Sequence, residues 1–452
     1  MYDGGVQGLI APSEGEQELM AIASPNTGTQ VTASAPTQGY GAPLATVTTL
    51  FFMWGFLTCL NDILVPHLKS IFDLNYAKVM LIQFAFFGAY FIFSLPSAKI
   101  IDAIGYQRSM VVGLLTMGVG AFLFVPAASV PSYPLFLGAL IVLAAGITCL
   151  QVAANPYVTV LGNPETASSR LNLTQAFNSL GTFLAPFFGG LFILTAARNM
   201  DEIRALAPDA LQAYRLHEAA TVKIPYVGLG IALVLLAVAI GSFRLPKIEH
   251  AQHQIGEKVN DSIWKHPNLI FGAIAIFVYV GAEVSIGSFL VNYFGQPEIG
   301  GLTEKVAASF VAFYWGGAMV GRFIGSALLQ KIKTGYLLGL CAVCAAALVA
   351  ISMLTNGHLA MYSIILVGFF NSIMFPSIFT LGVAELGPLT GDGSGILIMA
   401  IVGGAIIPVA QGWIADRIGI HHAFFLPVIC YLYILFFALS GSKPNSERYA
   451  KV

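Results

Sequence analysis

Charge is what this sequence has least of. Only 10% of its 452 residues are Asp, Glu, Lys or Arg, against about a quarter in ordinary soluble domains. With 57% hydrophobic residues beside that scarcity, lipid is the expected solvent for most of the chain. Residues 1–43 contain no Lys or Arg and lack the basic and apolar regions of a secretory signal. Rich in Ser, Thr, Gly, Pro and Ala, they read as a disordered tail. No basic stripe or acidic run is present, which leaves nucleic-acid binding without support. The signatures H-E-x-x-H, G-x-S-x-G and paired Asp are missing, so an intramembrane enzyme has no catalytic constellation to work with. The five cysteines (Cys59, Cys149, Cys341, Cys344, Cys430) all sit in apolar stretches. The C-x-x-C at Cys341 and Cys344 has no second Cys pair or nearby His, so it reads as buried thiols. No cofactor is expected.

Long apolar runs are what the sequence has in abundance. Twelve segments between residues 44 and 440 supply the roughly 20 apolar residues that a helix needs to cross a bilayer. A basic stretch at 244–266 divides them six and six, giving halves at 44–243 and 267–440 and a short tail at 441–452. An all-α integral membrane protein of twelve transmembrane helices in two six-helix halves is therefore expected. With the N-terminus inside, 13 of the 21 Lys and Arg fall on the cytoplasmic side, among them Arg170 and Arg322. The rule that inner loops carry the positive charge thus places both termini in the cytoplasm.

The halves repeat one another, as transporter halves commonly do. Pro156 and Gly162 in the fourth helix match Pro376 and Gly382 in the tenth, 220 residues apart. Gly181, Pro186 and Gly190 match Gly403, Pro408 and Gly412 at 222, and Gly88 matches Gly317 at 229. Gly and Pro are frequent in membrane helices, but frequency does not explain their order.

Only two acids lie near the middle of a span, Asp62 and Glu283, and intramembrane acids mark function by default. They stand 221 residues apart, which suggests equivalent positions in the two halves. A carboxyl in a low-dielectric cavity can alternate between charged and neutral forms as the site opens to either side, as proton coupling requires; the same carboxylates could instead hold Na⁺. Amides form the next layer. Thr148, Gln151, Asn155 and Thr159 share one helical face, as do Asn172, Gln175 and Asn178, with Asn371 and Gln411 as counterparts. Such stripes can glue helices together. They also offer the donors and acceptors that a sugar's hydroxyls need, with Trp54, Tyr90, Tyr279 and Trp315 placed to cover its apolar face.

Two loop stretches resemble the major facilitator motif G-x-x-x-D-R-x-G-R. One runs from Ala98 through Asp102 and Gly105 to Arg108; a cleaner copy holds Gly412, Asp416, Arg417 and Gly419. Gating roles are expected for Asp102, Arg108, Asp416 and Arg417, with Asp102 facing a helix N-terminus and pairing with a base.

The stretches Phe51–His67, Cys149–Gly162 and Arg170–Gly181 resemble the L-fucose/proton symporter family of the major facilitator superfamily. That family includes bacterial glucose/galactose transporters and is similar to sodium-dependent glucose transporters. The likeness continues through Tyr279–Val284, Gly321–Gly325 and Pro376–Gly382. It implies hexose import by H⁺ or Na⁺ symport through alternating access, in a bacterial inner membrane, by a monomer surrounded by lipid. It also implies that Asp62 matches an essential first-helix acid. Gln175 and Asn178 match sugar-contacting amides, with Asn61 beside them. The fucose symporter carries glutamate at the position of Gln151 and glutamine at that of Glu283, so one carboxylate is expected to have moved from helix 4 to helix 7. A drug/proton antiporter is the alternative, because Gly181 to Gly190 nearly reproduces that class's G-x-x-x-G-P-x-x-G-G signature.

Overall fold

A computed structural model describes residues 40–72, 76–130, 132–192, 206–221, 223–246 and 262–444. Its side chains are described there except at 58, 60–72, 76–80, 186–192, 215, 218–221 and 304. The expected tail at 1–43 therefore lies outside the described residues up to 39, and helix already begins at Gly41. Of the linker, 247–261 lies outside as well; what is described of it ends in a short turn at Ile263–Lys265. No strand occurs among the described residues.

The first half contributes spans at Gly41–Phe72, Tyr76–Ile104, Tyr106–Ser129, Tyr133–Val160, Ala167–Phe192 and Lys223–Ser242. The second contributes Pro267–Phe294, Glu304–Leu328, Thr334–Leu354, Gly357–Gly382, Gly387–Ile418 and Ile420–Gly441. Ten of these are long and apolar enough to cross a membrane by composition. The other two, the first and fifth, have the length, at 32 and 26 residues. The fifth is the one that carries the amide face. In the loop before the sixth span lies an additional helix, Pro208–Thr221.

Packing repeats as the sequence does. In the first half the third span packs on the fourth and sixth, the second on the fourth, and the first on the fifth. The ninth packs on the tenth and twelfth, the eighth on the tenth, and the seventh on the eleventh. Between halves the main contacts are second with eleventh and fifth with eighth, a single pair seen twice through the repeat.

The matched prolines show why the register matters. Pro156 has no N–H, which leaves the Val152 carbonyl without its helical donor; the Ser394 hydroxyl donates to it at 2.9 Å. Pro376 does the same to Ser372, and there Arg322 Nε donates at 3.2 Å. The matched glycines let backbones touch. A Cβ on Gly181 would sit 2.2 Å from the Phe52 carbonyl oxygen, and one on Gly403 would sit 2.0 Å from that of Phe277. This is close small-residue packing, and it accounts for the antiporter-like stretch without any antiporter chemistry.

Candidate functional site

The same hydrogen bond occurs in both halves. Gln151 Nε2 on the fourth span donates to the Tyr90 hydroxyl on the second, at 2.6 Å. Asn371 Nδ2 on the tenth donates to the Tyr314 hydroxyl on the eighth, at 2.9 Å. The amides lie 220 residues apart and the tyrosines 224, so the second and eighth spans do not follow the 229 offset of Gly88 and Gly317. Gly317 packs against Phe369 of the tenth span, whereas nothing lies within 4 Å of a Cβ on Gly88. That sequence match was a coincidence of composition.

All four of these side chains are buried. So are Asn155 and Gln175, whose amides meet at 3.4 Å. Gln151 Oε1, Asn155 Nδ2 and both polar atoms of Gln411 are buried without a protein partner. Leaving such an atom unpaired costs about 1–3 kcal/mol. A hydroxyl-rich ligand, with a donor and an acceptor on each oxygen, suits this lining. Asn178 behaves differently: its Nδ2 donates to the Phe51 carbonyl at 2.9 Å, tying the fifth span to the first.

In the second half a carboxyl joins the pair. Tyr279 reaches Glu283 Oε1 at 2.8 Å and the Asn371 carbonyl oxygen at 3.0 Å. Tyr314 lies 3.5 Å from the Glu283 carbonyl oxygen, and the Tyr431 hydroxyl faces the Asn371 amide. Tyr279, Tyr314 and Tyr431 are buried, and the half-buried Glu283 meets the first of them through its carboxyl. The Arg322 charge bears on Glu283 through space, while its own hydrogen bonds go to Ser372 and Ser179. Ser179 in turn donates to the Gln175 carbonyl at 3.2 Å, so a polar chain links this cluster to the amides of the first half. Among the described residues no group of three His, Cys, Asp or Glu could hold a metal ion.

Helix register separates the two acids. With Phe52 and Phe277 equivalent by their contacts, the offset between first and seventh spans is 225. Glu283 then corresponds to Thr58, and Asp62 comes one helical turn later. The 221-residue spacing was therefore not a sign of equivalence. The backbone at Asn61 and Asp62 is helical, and their side chains lie outside the described residues.

The aromatic candidates divide. Tyr90 and Tyr279 hydrogen-bond within the polar clusters. Trp54 is buried against Phe51, ring centroids 5.2 Å apart. Trp315 is 41% exposed and packs edge-on against Tyr314 at 5.1 Å; the residue before it is the one in the cluster. Sequence reasoning missed Tyr314, Tyr431 and Arg322. Arg322 was counted among the loop charges, yet it is half-buried inside a span. A base within an apolar run was the available signal. Arg170, also counted as a loop charge, is buried and donates to the Thr159 and Asn163 carbonyls at the end of the fourth span.

One end of the bundle is sealed between the halves. Lys99 donates to Asp392 at 2.9 Å and lies 3.6 Å from Asp102. Ser169 donates to the Ser326 carbonyl and Ser326 to that of Ser169, at 2.7 and 3.1 Å. Ser168 bonds Thr380 at 2.6 Å, and Asn172 donates to the Arg322 carbonyl at 2.7 Å. A Cβ on Gly391 would lie 3.4 Å from Asp102 Oδ1, so Asp102 does face the first turn of the helix Thr390–Met399. Lys99 supplies a base beside it, as expected, and Arg108 is exposed. Asp416 and Arg417 take no part in this seam. They lie in the last turn of the eleventh span, at the end remote from it, both exposed, with Arg417 over the Trp413 ring at 3.3 Å.

Comparison with known proteins agrees with this architecture. The sequence pattern of the Major Facilitator Superfamily matches residues 44–401. A glucose/galactose transporter of Brucella abortus is 53% identical over 424 residues, covering 94% of this chain and all of the relative. The L-fucose-proton symporter of Escherichia coli is 35% identical over 90% of this chain and 94% of its own. A crystal structure of the fucose symporter in the outward conformation superimposes with a TM-score of 0.82, at 33% identity, over 90% of this chain and 100% of that one.

Proposed function

This chain belongs to the Major Facilitator Superfamily and is a multi-pass membrane transporter, and from that premise we propose that it imports a hexose of the glucose/galactose type together with a proton. The observation that carries the reading is the Glu283 carboxyl bonded through Tyr279 into the cluster that holds Asn371. Tyr279 there joins a titratable carboxyl to the backbone carbonyl of the residue whose amide donates to Tyr314. The Brucella relative's name supplies the sugar class, and the Escherichia coli relative's name supplies the proton. Nothing in these relatives favours a drug antiporter.

Sugar binds between the halves against Gln151, Asn155, Gln175 and Asn371, with Asp62 and Glu283 carrying the coupling. The sealed end bears Lys99, Arg170, Lys331 and Lys333, so the positive-inside rule makes it cytoplasmic. Both termini then lie inside a bacterial inner membrane, and this conformation faces outward. Transport follows when the two halves rock about the cluster, breaking the serine seam and closing the opposite side. A single chain suffices, because the repeat supplies both halves.

The test is uptake of labelled glucose and galactose into proteoliposomes with an imposed gradient of either H⁺ or Na⁺. Accumulation is expected with the proton gradient alone and is expected to vanish in Asp62→Asn. Drive by Na⁺ at fixed pH, or accumulation left intact in Asp62→Asn, overturns the coupling assignment.

A further inference from the structure

The Tyr279 hydroxyl has one hydrogen and two acceptors within reach, Glu283 Oε1 at 2.8 Å and the Asn371 carbonyl oxygen at 3.0 Å. It can donate to only one of them at a time. Which one it serves depends on the carboxyl. A charged carboxylate is the stronger acceptor, since a bond to an ionised partner is roughly twice as strong as a neutral one. The Tyr279 hydrogen then points to Glu283, and Asn371 loses this donor. Once Glu283 takes up a proton, its own O–H donates to the Tyr279 oxygen. The Tyr279 hydrogen is freed to turn to the Asn371 carbonyl.

That carbonyl stands at a consequential place. The tenth span breaks directly after Asn371, at Ser372 and Ile373, between the helices Gly357–Asn371 and Met374–Gly382. Ser372 is held by Arg322 through its own carbonyl. Pairing Asn371 as well fixes both residues at the break, and with them the Asn371 amide that donates to Tyr314.

We propose that Tyr279 is a positioning residue that couples the proton to the sugar, turning its hydroxyl from Glu283 to the Asn371 backbone when the carboxyl is protonated and so ordering the sugar-reading amide. The coupling has a definite sign. Protonation strengthens sugar binding, and by reciprocity bound sugar strengthens protonation, which is what symport requires. The other groups facing Glu283 are Tyr314 and Arg322 on the eighth span and Tyr431 on the twelfth. The two phenols stay neutral over the working pH range, and the guanidinium stays charged. Glu283 is thus the group of this cluster that changes charge. In the first half Tyr90 accepts from Gln151, with no carboxyl beside the pair among the described side chains.

This inference rests on the symport reading, and the experiment separates the two. Glucose and galactose binding to the purified full-length protein is measured by calorimetry across a pH series. Tyr279→Phe and Glu283→Gln are measured in parallel, and all samples are checked for monodispersity. For the wild-type protein, affinity is expected to fall as pH rises, by about five- to a hundredfold, the usual range of coupling between sites. Tyr279→Phe is expected to bind with the weak, high-pH affinity at every pH. Glu283→Gln is expected to do the opposite. Its amide donates to the Tyr279 oxygen as a protonated carboxyl would, so it holds the tight, low-pH affinity throughout. Two flat profiles at opposite plateaus are not what a merely structural role gives. A wild-type slope kept by either variant, or no binding by Tyr279→Phe at any pH, overturns the relay alone. Glucose and galactose that fail to bind the wild-type protein overturn the function reading and the relay with it.

Discussion

The two halves make the same hydrogen bond between an amide and a tyrosine, and among the described side chains a carboxyl stands beside it in the second half. In the first half Gln151 and Tyr90 form a neutral pair, and Gln151 Oε1 and Asn155 Nδ2 are buried without a protein partner. In the second half Asn371 and Tyr314 form the matching pair, enclosed with Glu283, Tyr279 and Tyr431 and within reach of the Arg322 charge. The repeat has kept the geometry and divided the chemistry. Among the described side chains, the carboxyl stands beside the pair of the second half. A symmetric fold can thus carry an asymmetric function, because register preserves backbone positions while leaving side-chain chemistry free.

The largest expected effect tests what the halves share. Gly181→Ala and Gly403→Ala each push a methyl into a backbone carbonyl. Overpacking usually costs about 1–3 kcal/mol, and contacts this short should exceed it. Both variants should lose most of their folded yield by size-exclusion chromatography of solubilised membranes. A tolerated substitution on one side only would break the structural symmetry.

Next comes the difference between the halves. Glu283→Gln should reduce proton-driven accumulation to simple equilibration across the membrane while sugar exchange continues. Gln151→Leu, at the neutral pair, should weaken sugar binding while preserving coupling. Finding the two phenotypes interchanged would reverse the division of labour.

Smaller, and alike in kind, are the effects of Tyr90→Phe and Tyr314→Phe. Each leaves a buried amide without its acceptor, at a cost of about 1–3 kcal/mol, read as a shift in thermal midpoint. The Tyr314 variant should suffer more, since its hydroxyl also stands against the Glu283 backbone.

The smallest effect belongs to the seam. Lys99→Ala removes a largely exposed ion pair, and such pairs contribute about 0.2–1 kcal/mol. The inward-facing fraction should rise by no more than about fivefold, measured by thiol labelling of a cysteine placed at Ser326. The same substitution at Arg322, which is half-buried and spans both halves through Ser179, should change that fraction more.

Much of this was readable beforehand, for identifiable reasons. Apolar length marks a span regardless of its neighbours, so the helices and their division into halves followed from composition. Pro156 with Pro376 and Gly181 with Gly403 were legible because each serves a backbone need: a carbonyl freed by a missing N–H, or two backbones in contact. The amides Gln151 and Asn371 stood out because polar atoms are rare and costly in apolar helices. Tyr314 and Tyr431 were not legible, since a tyrosine in an apolar run looks the same whether it packs against lipid or bonds an amide. Tyr279 was noticed as a ring that could cover a sugar face, and the bonds of its hydroxyl to Glu283 and the Asn371 carbonyl were not legible.

The sequence alone therefore determined the class of protein, the twelve spans, their repeat and the rarity of mid-span acids, all of which depend on local composition and spacing. Only the tertiary structure decided which polar groups meet. It moved Glu283 out of register with Asp62 by one turn, put Lys99 beside Asp102 as the expected base, and left Asp416 and Arg417 away from the seam. The reason is physical. Helical periodicity fixes which residues share a face, but the rotation and slide of each helix against its neighbours come from the close backbone contacts at Gly181 and Gly403, and a shift of one turn changes every partner a side chain can reach.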